Sequence, residues 1–225
     1  MNIKKPSLFS EITGLIQREV VLEWRQKHVF GGIFLYLVST IFICYLAFRG
    51  IMSLEVWNAL FWIIMAFSSL NLVLKSFQDE TTGRKLYLYT LVSPTSVIIS
   101  KTVINAFVMI VLGVVGFLFF NLFMGNIASA NLAYWLILIA GVFGFSSILT
   151  VVSAIASQTK NNFTLMTILG FPLILPLLLL VIRSASSTLQ GSGLSAISGD
   201  LLFIALLIMI SLTLSHILFP YLWKD

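Results

Sequence analysis

"TVINAFVMIVLGVVGFLFFNLFMG", residues 102–125, contains no charged side chain. Coiled as a helix at ~1.5 Å per residue, the stretch is long enough to cross a hydrocarbon layer about 30 Å thick. A water-soluble helix keeps one polar face, and this one has none to offer. The rest of the chain agrees. Of its 225 residues, 59% are hydrophobic and 9% are charged, against about 25% charged in a soluble domain. Working outward, six windows can span a bilayer, near 29–48, 54–74, 96–124, 132–157, 163–182 and 200–222. Each is expected to be helical, because lipid offers backbone N–H and C=O groups no partner. The fold class is therefore an all-α integral membrane protein with six transmembrane helices.

Orientation follows from the basic residues, which stay on the cytoplasmic side. With the N- and C-termini cytoplasmic, inside segments hold Lys4, Lys5, Arg18, Arg25, Lys27, Lys75, Arg84, Lys85, Lys101, Lys160 and Lys224. Only Arg49 and Arg183 fall outside. The net charge of +5 is thus a topology signal and a contact with anionic lipid heads, with no nucleic-acid patch. The first twenty residues lack the continuous apolar core of a cleavable signal peptide.

Residues 1–28 read as a cytoplasmic interfacial amphipathic helix. Leu8, Phe9, Ile12, Leu15, Ile16 and Leu22 share one arc of a helical wheel, with Gln17, Arg18 and Arg25 opposite. Glu19 and Glu23 project from the middle of the apolar arc. Either the helix frays there, with Lys27 pairing to Glu23, or these carboxylates and Arg25 contact other cytoplasmic segments. Gly31 and Gly32 are expected to turn the chain into the first span. An external loop, flexible or partly helical, is expected over residues 183–199, "RSASSTLQGSGLSAISG", rich in Ser and Gly.

Catalytic chemistry is hard to find in this chain. Cys44 is the single cysteine and excludes an internal disulfide. His28 and His216 stand alone, without a metal-ligand motif. No phosphate-binding GxxxxGK[ST] loop occurs, so ATP hydrolysis, if used, belongs to a partner chain. Pro172 and Pro176, four apart in the fifth span, remove backbone hydrogen bonds. They read as a structural kink or as a hinge.

One polar island remains: "KSFQDETTGRKLYLYTLVSP", residues 75–94, between the second and third spans. Ser93 followed by Pro94 reads as an N-cap and first helical residue. That leaves residues 84–92 as a short helix held at both ends, within a cytoplasmic segment covering 75–95. Leu86, Leu88 and Leu91 beside Arg84 and Lys85 suit the apolar core and charged rim of a protein interface. The segment is a coupling helix for a soluble ATPase, or a membrane-surface loop with snorkelling basic side chains.

The order of an interfacial helix, six spans and an acidic-Gly-basic-Leu segment ending in Ser-Pro resembles the ABC-2 type exporter permeases. More narrowly, "FQDETTGRKLYLYTLVSPTSVIISK" (77–101), "LGFPLILPLLLL" (169–180) and "REVVLEWR" (18–25) resemble the CcmB family, the haem exporter permease B of bacterial cytochrome c maturation. This resemblance implies a permease domain over 29–222 in the bacterial inner membrane. It implies a cytoplasmic ABC ATPase as partner, a second permease copy, and haem-handling membrane proteins. Coupling would run through Asp79, Glu80, Gly83, Arg84, Leu86, Leu88 and Leu91. No cofactor is expected to be bound firmly; haem is the implied cargo, passed or handed over. Two other readings stay open on the residues alone: an ABC-2 permease for a drug, lipid or glycan, and a membrane scaffold of a cytochrome assembly complex.

Overall fold

Charge-free runs of this length must close their own hydrogen bonds, and they do so as helices. The computed structural model describes residues 8–25, 27–48, 52–78, 92–125, 132–157 and 162–222. Seven helices, and no strand, occur among these residues: α1 Leu8–Arg25, α2 Lys27–Phe48, α3 Leu54–Gln78, α4 Pro94–Met124, α5 Leu132–Ala156, α6 Asn162–Leu189 and α7 Leu194–Leu222. Helices α2 to α7 each contain a window long and apolar enough to cross a membrane.

α5 is the hub. It packs against α3, α4, α6 and α7, and it is the most enclosed of the six. Its glycines explain how the neighbours come so close. A Cβ on Gly141 would lie 2.6 Å from the Trp62 ring of α3 and 2.9 Å from Val181 of α6; one on Gly144 would lie 2.7 Å from Leu177 of α6. Removing two side chains thus lets an indole and two aliphatic groups seat directly on the α5 backbone. One half of the bundle is filled by rings. Trp57 meets Phe120 at 5.0 Å between centroids, Phe117 meets Tyr134 at 5.1 Å, and Trp62 meets Phe145 at 6.2 Å. Edge-to-face and tilted pairs of this kind lock α3, α4 and α5 together. By contrast α2 and α7 keep much apolar surface outward, Leu35, Ile43, Phe203 and Met209 among them. Outward apolar residues are what a lipid-facing helix requires.

One expectation is sharpened and another corrected. Residues 183–199 are mostly helix: α6 runs to Leu189 and α7 starts at Leu194, leaving a turn at 190–193. The serines and threonines that suggested a loop bond back to their own helix. Ser184 donates to the Leu180 carbonyl, Ser187 to Arg183 and Thr188 to Ala185. Hydroxyls used this way do not break the helix. Gly31 and Gly32 likewise lie inside α2, which continues from Lys27 through both of them. The Gly32 backbone is approached by the Lys75 ammonium of α3.

Candidate functional site

The polar island leaves α3 at Gln78 and re-enters helix at Pro94. Asp79, Glu80, Gly83, Arg84, Leu86, Leu88 and Leu91, expected to make the coupling surface, lie outside the described residues. What the structure shows is the frame that holds both ends of this segment.

At its exit, Ser93 caps α4. Its backbone is extended (φ −71°, ψ 141°), its Oγ accepts from the Ser96 N–H, and Pro94 follows as first helical residue. That is the arrangement expected from the Ser-Pro pair. A second chain segment reinforces it. Glu11, in the first turn of α1, lays Oε2 on the start of α4. It accepts from the Ser93 N–H at 3.3 Å, from the Ser93 hydroxyl at 2.9 Å and from the Ser96 hydroxyl at 2.9 Å. Unpaired N–H groups and the positive end of the helix dipole make this a favourable place for a carboxylate. One turn along α1 from Glu11, Leu15 enters a small apolar cluster with Val97 and Ile98 of α4, Ala154 of α5 and Phe219 of α7. So α1 is fastened to α4 by a carboxylate and a leucine four residues apart, on one helix face.

At its entrance, Lys101 does the complementary work. It stands on α4, is only 3% exposed, and donates from Nζ to the Ser76 carbonyl at 2.7 Å. Ser76 belongs to the last turn of α3, where carbonyls lack helical partners and a cation is favoured. Deeper in the same half, Asn105 of α4 donates to Thr150 of α5 at 3.1 Å, and Ser153 of α5 donates to the Val73 carbonyl of α3. Helices α3, α4 and α5 are therefore cross-tied below the segment.

The opposite end has its own polar tie. Asn58 of α3 donates to the Ile182 carbonyl of α6 at 2.7 Å. Ser184 of α6 donates to Asp200 of α7 at 3.1 Å, and Arg183 lies 3.8 Å from the same carboxylate. Pro172 and Pro176 sit between the two ends, inside an unbroken α6, with both rings on its exposed side.

The other expected contacts divide. Glu19 lies 3.8 Å from Arg18, its own neighbour. Arg25, Glu23 and His28 lie in helices, their side chains outside the described residues. His216 is on the exposed side of α7. Among the described residues, no three of His, Cys, Asp and Glu come together as metal ligands. Glu11, Lys101 and Asn58 were not singled out from the sequence. Glu11 had one available signal: it stands four residues before Leu15 on the same face, while Glu19 and Glu23 drew notice by interrupting the apolar arc.

Fold and frame together define a multi-span helical membrane protein whose second and third spans are braced around a short polar segment. The CcmB protein family profile matches residues 10–221, and the chain belongs to that family. It is thus the permease subunit of an ABC transporter, the haem exporter of cytochrome c maturation, and is not itself catalytic. No curated protein matches the chain.

Proposed function

We propose that this permease receives the stroke of its ATPase partner through residues 79–92, with Asp79, Glu80, Gly83, Arg84, Leu86, Leu88 and Leu91 as the docking surface. The supporting observation is the frame: Lys101 on the Ser76 carbonyl at one end and Glu11 on Ser93 and Ser96 at the other. A segment anchored at both ends cannot absorb a push by sliding, so the push moves α3 and α4. Those helices carry α5 with them through the Asn105–Thr150 and Ser153–Val73 bonds.

The segment lies on the cytoplasmic side in this reading, as do both termini, since the basic residues collect there. α1 lies in that interface, with Leu8 and Phe9 outward. The complex holds two permease copies and meets the haem-handling membrane proteins of cytochrome c maturation. Haem is cargo here, passed or handed over. Pro172 and Pro176 supply the hinge of α6.

The test is a pull-down from solubilised membranes with Leu86→Asp and Leu88→Asp. A carboxylate in an apolar interface core is costly. Both variants are expected to insert normally and to lose the ATPase. Normal co-purification with both would remove residues 79–92 as the docking surface.

A further inference from the structure

Glu11 serves two helices at once. It belongs to the first turn of α1, and its carboxylate covers the first turn of α4. We infer that Glu11 is a positioning residue for energy coupling: it is the joint through which α1 is driven by the same segment that drives α4. The inference rests on the coupling reading above and adds a second output to it.

The geometry favours a joint over a simple surface contact. Three donors from one residue and its neighbour one turn on converge on a single oxygen, Oε2, so α1 cannot shift along α4 without breaking all three. The Ser93 and Ser96 hydroxyls are also 2.7 Å from each other, and Thr95 donates to the Ser93 hydroxyl. A hydrogen-bonded carboxylate of this kind is directional and specifies one register. Ser93 is also the last residue before α4, so any displacement of residues 79–92 reaches Ser93 first. The load then divides. One part enters α4. The other crosses Glu11 into α1, whose Leu15 joins the apolar cluster that holds Val97 and Ile98 of α4, Ala154 of α5 and Phe219 of α7. α4 packs directly on α5 and α7. The joint therefore gives the cluster at Ala154 and Phe219 a second input from the same stroke, through α1.

Glu19, Arg18 and Thr13 do not share this role. Thr13 bonds back to Phe9 and Ser10, and Arg18 lies beside Glu19, all within α1.

The experiment uses the whole complex, purified through the ATPase and returned to phospholipid vesicles, together with cells assembling a c-type cytochrome. Three readouts are taken: ATPase recovered per permease, ATP turnover in vesicles, and covalent haem on the cytochrome. The variants are Glu11→Leu, Glu11→Gln and Ser93→Ala with Ser96→Ala. For Glu11→Leu the expected result is ATPase recovery and ATP turnover within twofold of the parent, and cytochrome output reduced at least tenfold. Glu11→Gln, which keeps an acceptor oxygen, should recover part of that output. Glu11→Leu combined with Ser96→Ala should lose no more than Glu11→Leu alone, since both break one contact.

Wild-type output from Glu11→Leu overturns the inference. So does loss of the ATPase itself, which would make Glu11 part of the docking surface. If Glu11→Leu fails to accumulate, Glu11→Gln and the serine variant decide, because both preserve volume: full output from both overturns the joint, and reduced output with intact ATP turnover supports it. Retention of the ATPase by Leu86→Asp sinks the coupling reading on separate grounds, whatever Glu11 does.

Discussion

The side-chain amide of Asn58 donates to the carbonyl of Ile182 at 2.7 Å, joining α3 to α6 across 124 residues of chain. Asn58 is fully buried, and its own carbonyl oxygen has no partner among the described residues. The bond therefore carries a cost along with its benefit. Replacing Asn58 with Leu removes the donor and the orphaned acceptor together, so the net loss should stay within about 1 kcal/mol. Asn58→Asp should be far worse. It sets a carboxylate against a carbonyl in an apolar interior, a change worth several kcal/mol (about 3). Thermal unfolding in detergent should rank the parent and Asn58→Leu close together, with Asn58→Asp well below. Equal midpoints for Leu and Asp would show that water reaches this site.

Lys101 should matter more than its single charge suggests. Its stem is buried and its ammonium closes the last turn of α3. Lys101→Met keeps the stem and removes the donor, at about 1.5–3 kcal/mol for a charge-assisted bond. The entrance of the polar segment would then lose its polar tie to α4. Lowered thermal stability together with at least a fivefold loss of cytochrome output is expected. Output equal to the parent would confine Lys101 to packing.

Gly141 and Gly144 differ in what an added methyl would meet. At Gly141 the nearest atoms belong to the rigid Trp62 indole, which lies edge-on to Phe61 and tilted against Phe145. At Gly144 the nearest atom is the end of the Leu177 side chain. Overpacking in such interiors costs about 1–3 kcal/mol. Gly141→Ala should sit at the high end and Gly144→Ala at the low end, measured as midpoints in one detergent. The reverse order would mean that α3 yields more readily than α6.

Pro172 and Pro176 face outward on α6, above the buried Ile174 and Leu177. Alanine at both positions restores two backbone N–H donors and should raise thermal stability. On the hinge reading it should also slow cytochrome output severalfold. Higher stability with unchanged output would leave the prolines as a packing feature of a curved helix.

Much of this protein could be read from its sequence because a bilayer makes strong local demands. A charge-free run of 24 residues in lipid has one way to satisfy its backbone, so six spans follow from hydropathy alone. Ser93-Pro94 announces the start of α4 for an equally local reason: one side chain reaches an N–H three residues on. The family, too, was legible in the motifs at 77–101 and 169–180. The serines of 183–199 left loop and helix both open, since the same hydroxyl that caps a turn in water bonds back along a helix.

What no local rule supplied was partnership. Glu11 and Ser93 are 82 residues apart, Asn58 and Ile182 farther still, and nothing in composition or periodicity ties one to the other. Lys101 looked like the basic border of a span until α3 ended against it. These contacts exist because helices that cannot bury a charge or an amide in lipid must bring it to another helix, and only the packing of all seven determines which one. The spans were set by the solvent each residue must avoid; the joints were set by which neighbour was near enough to satisfy what remained.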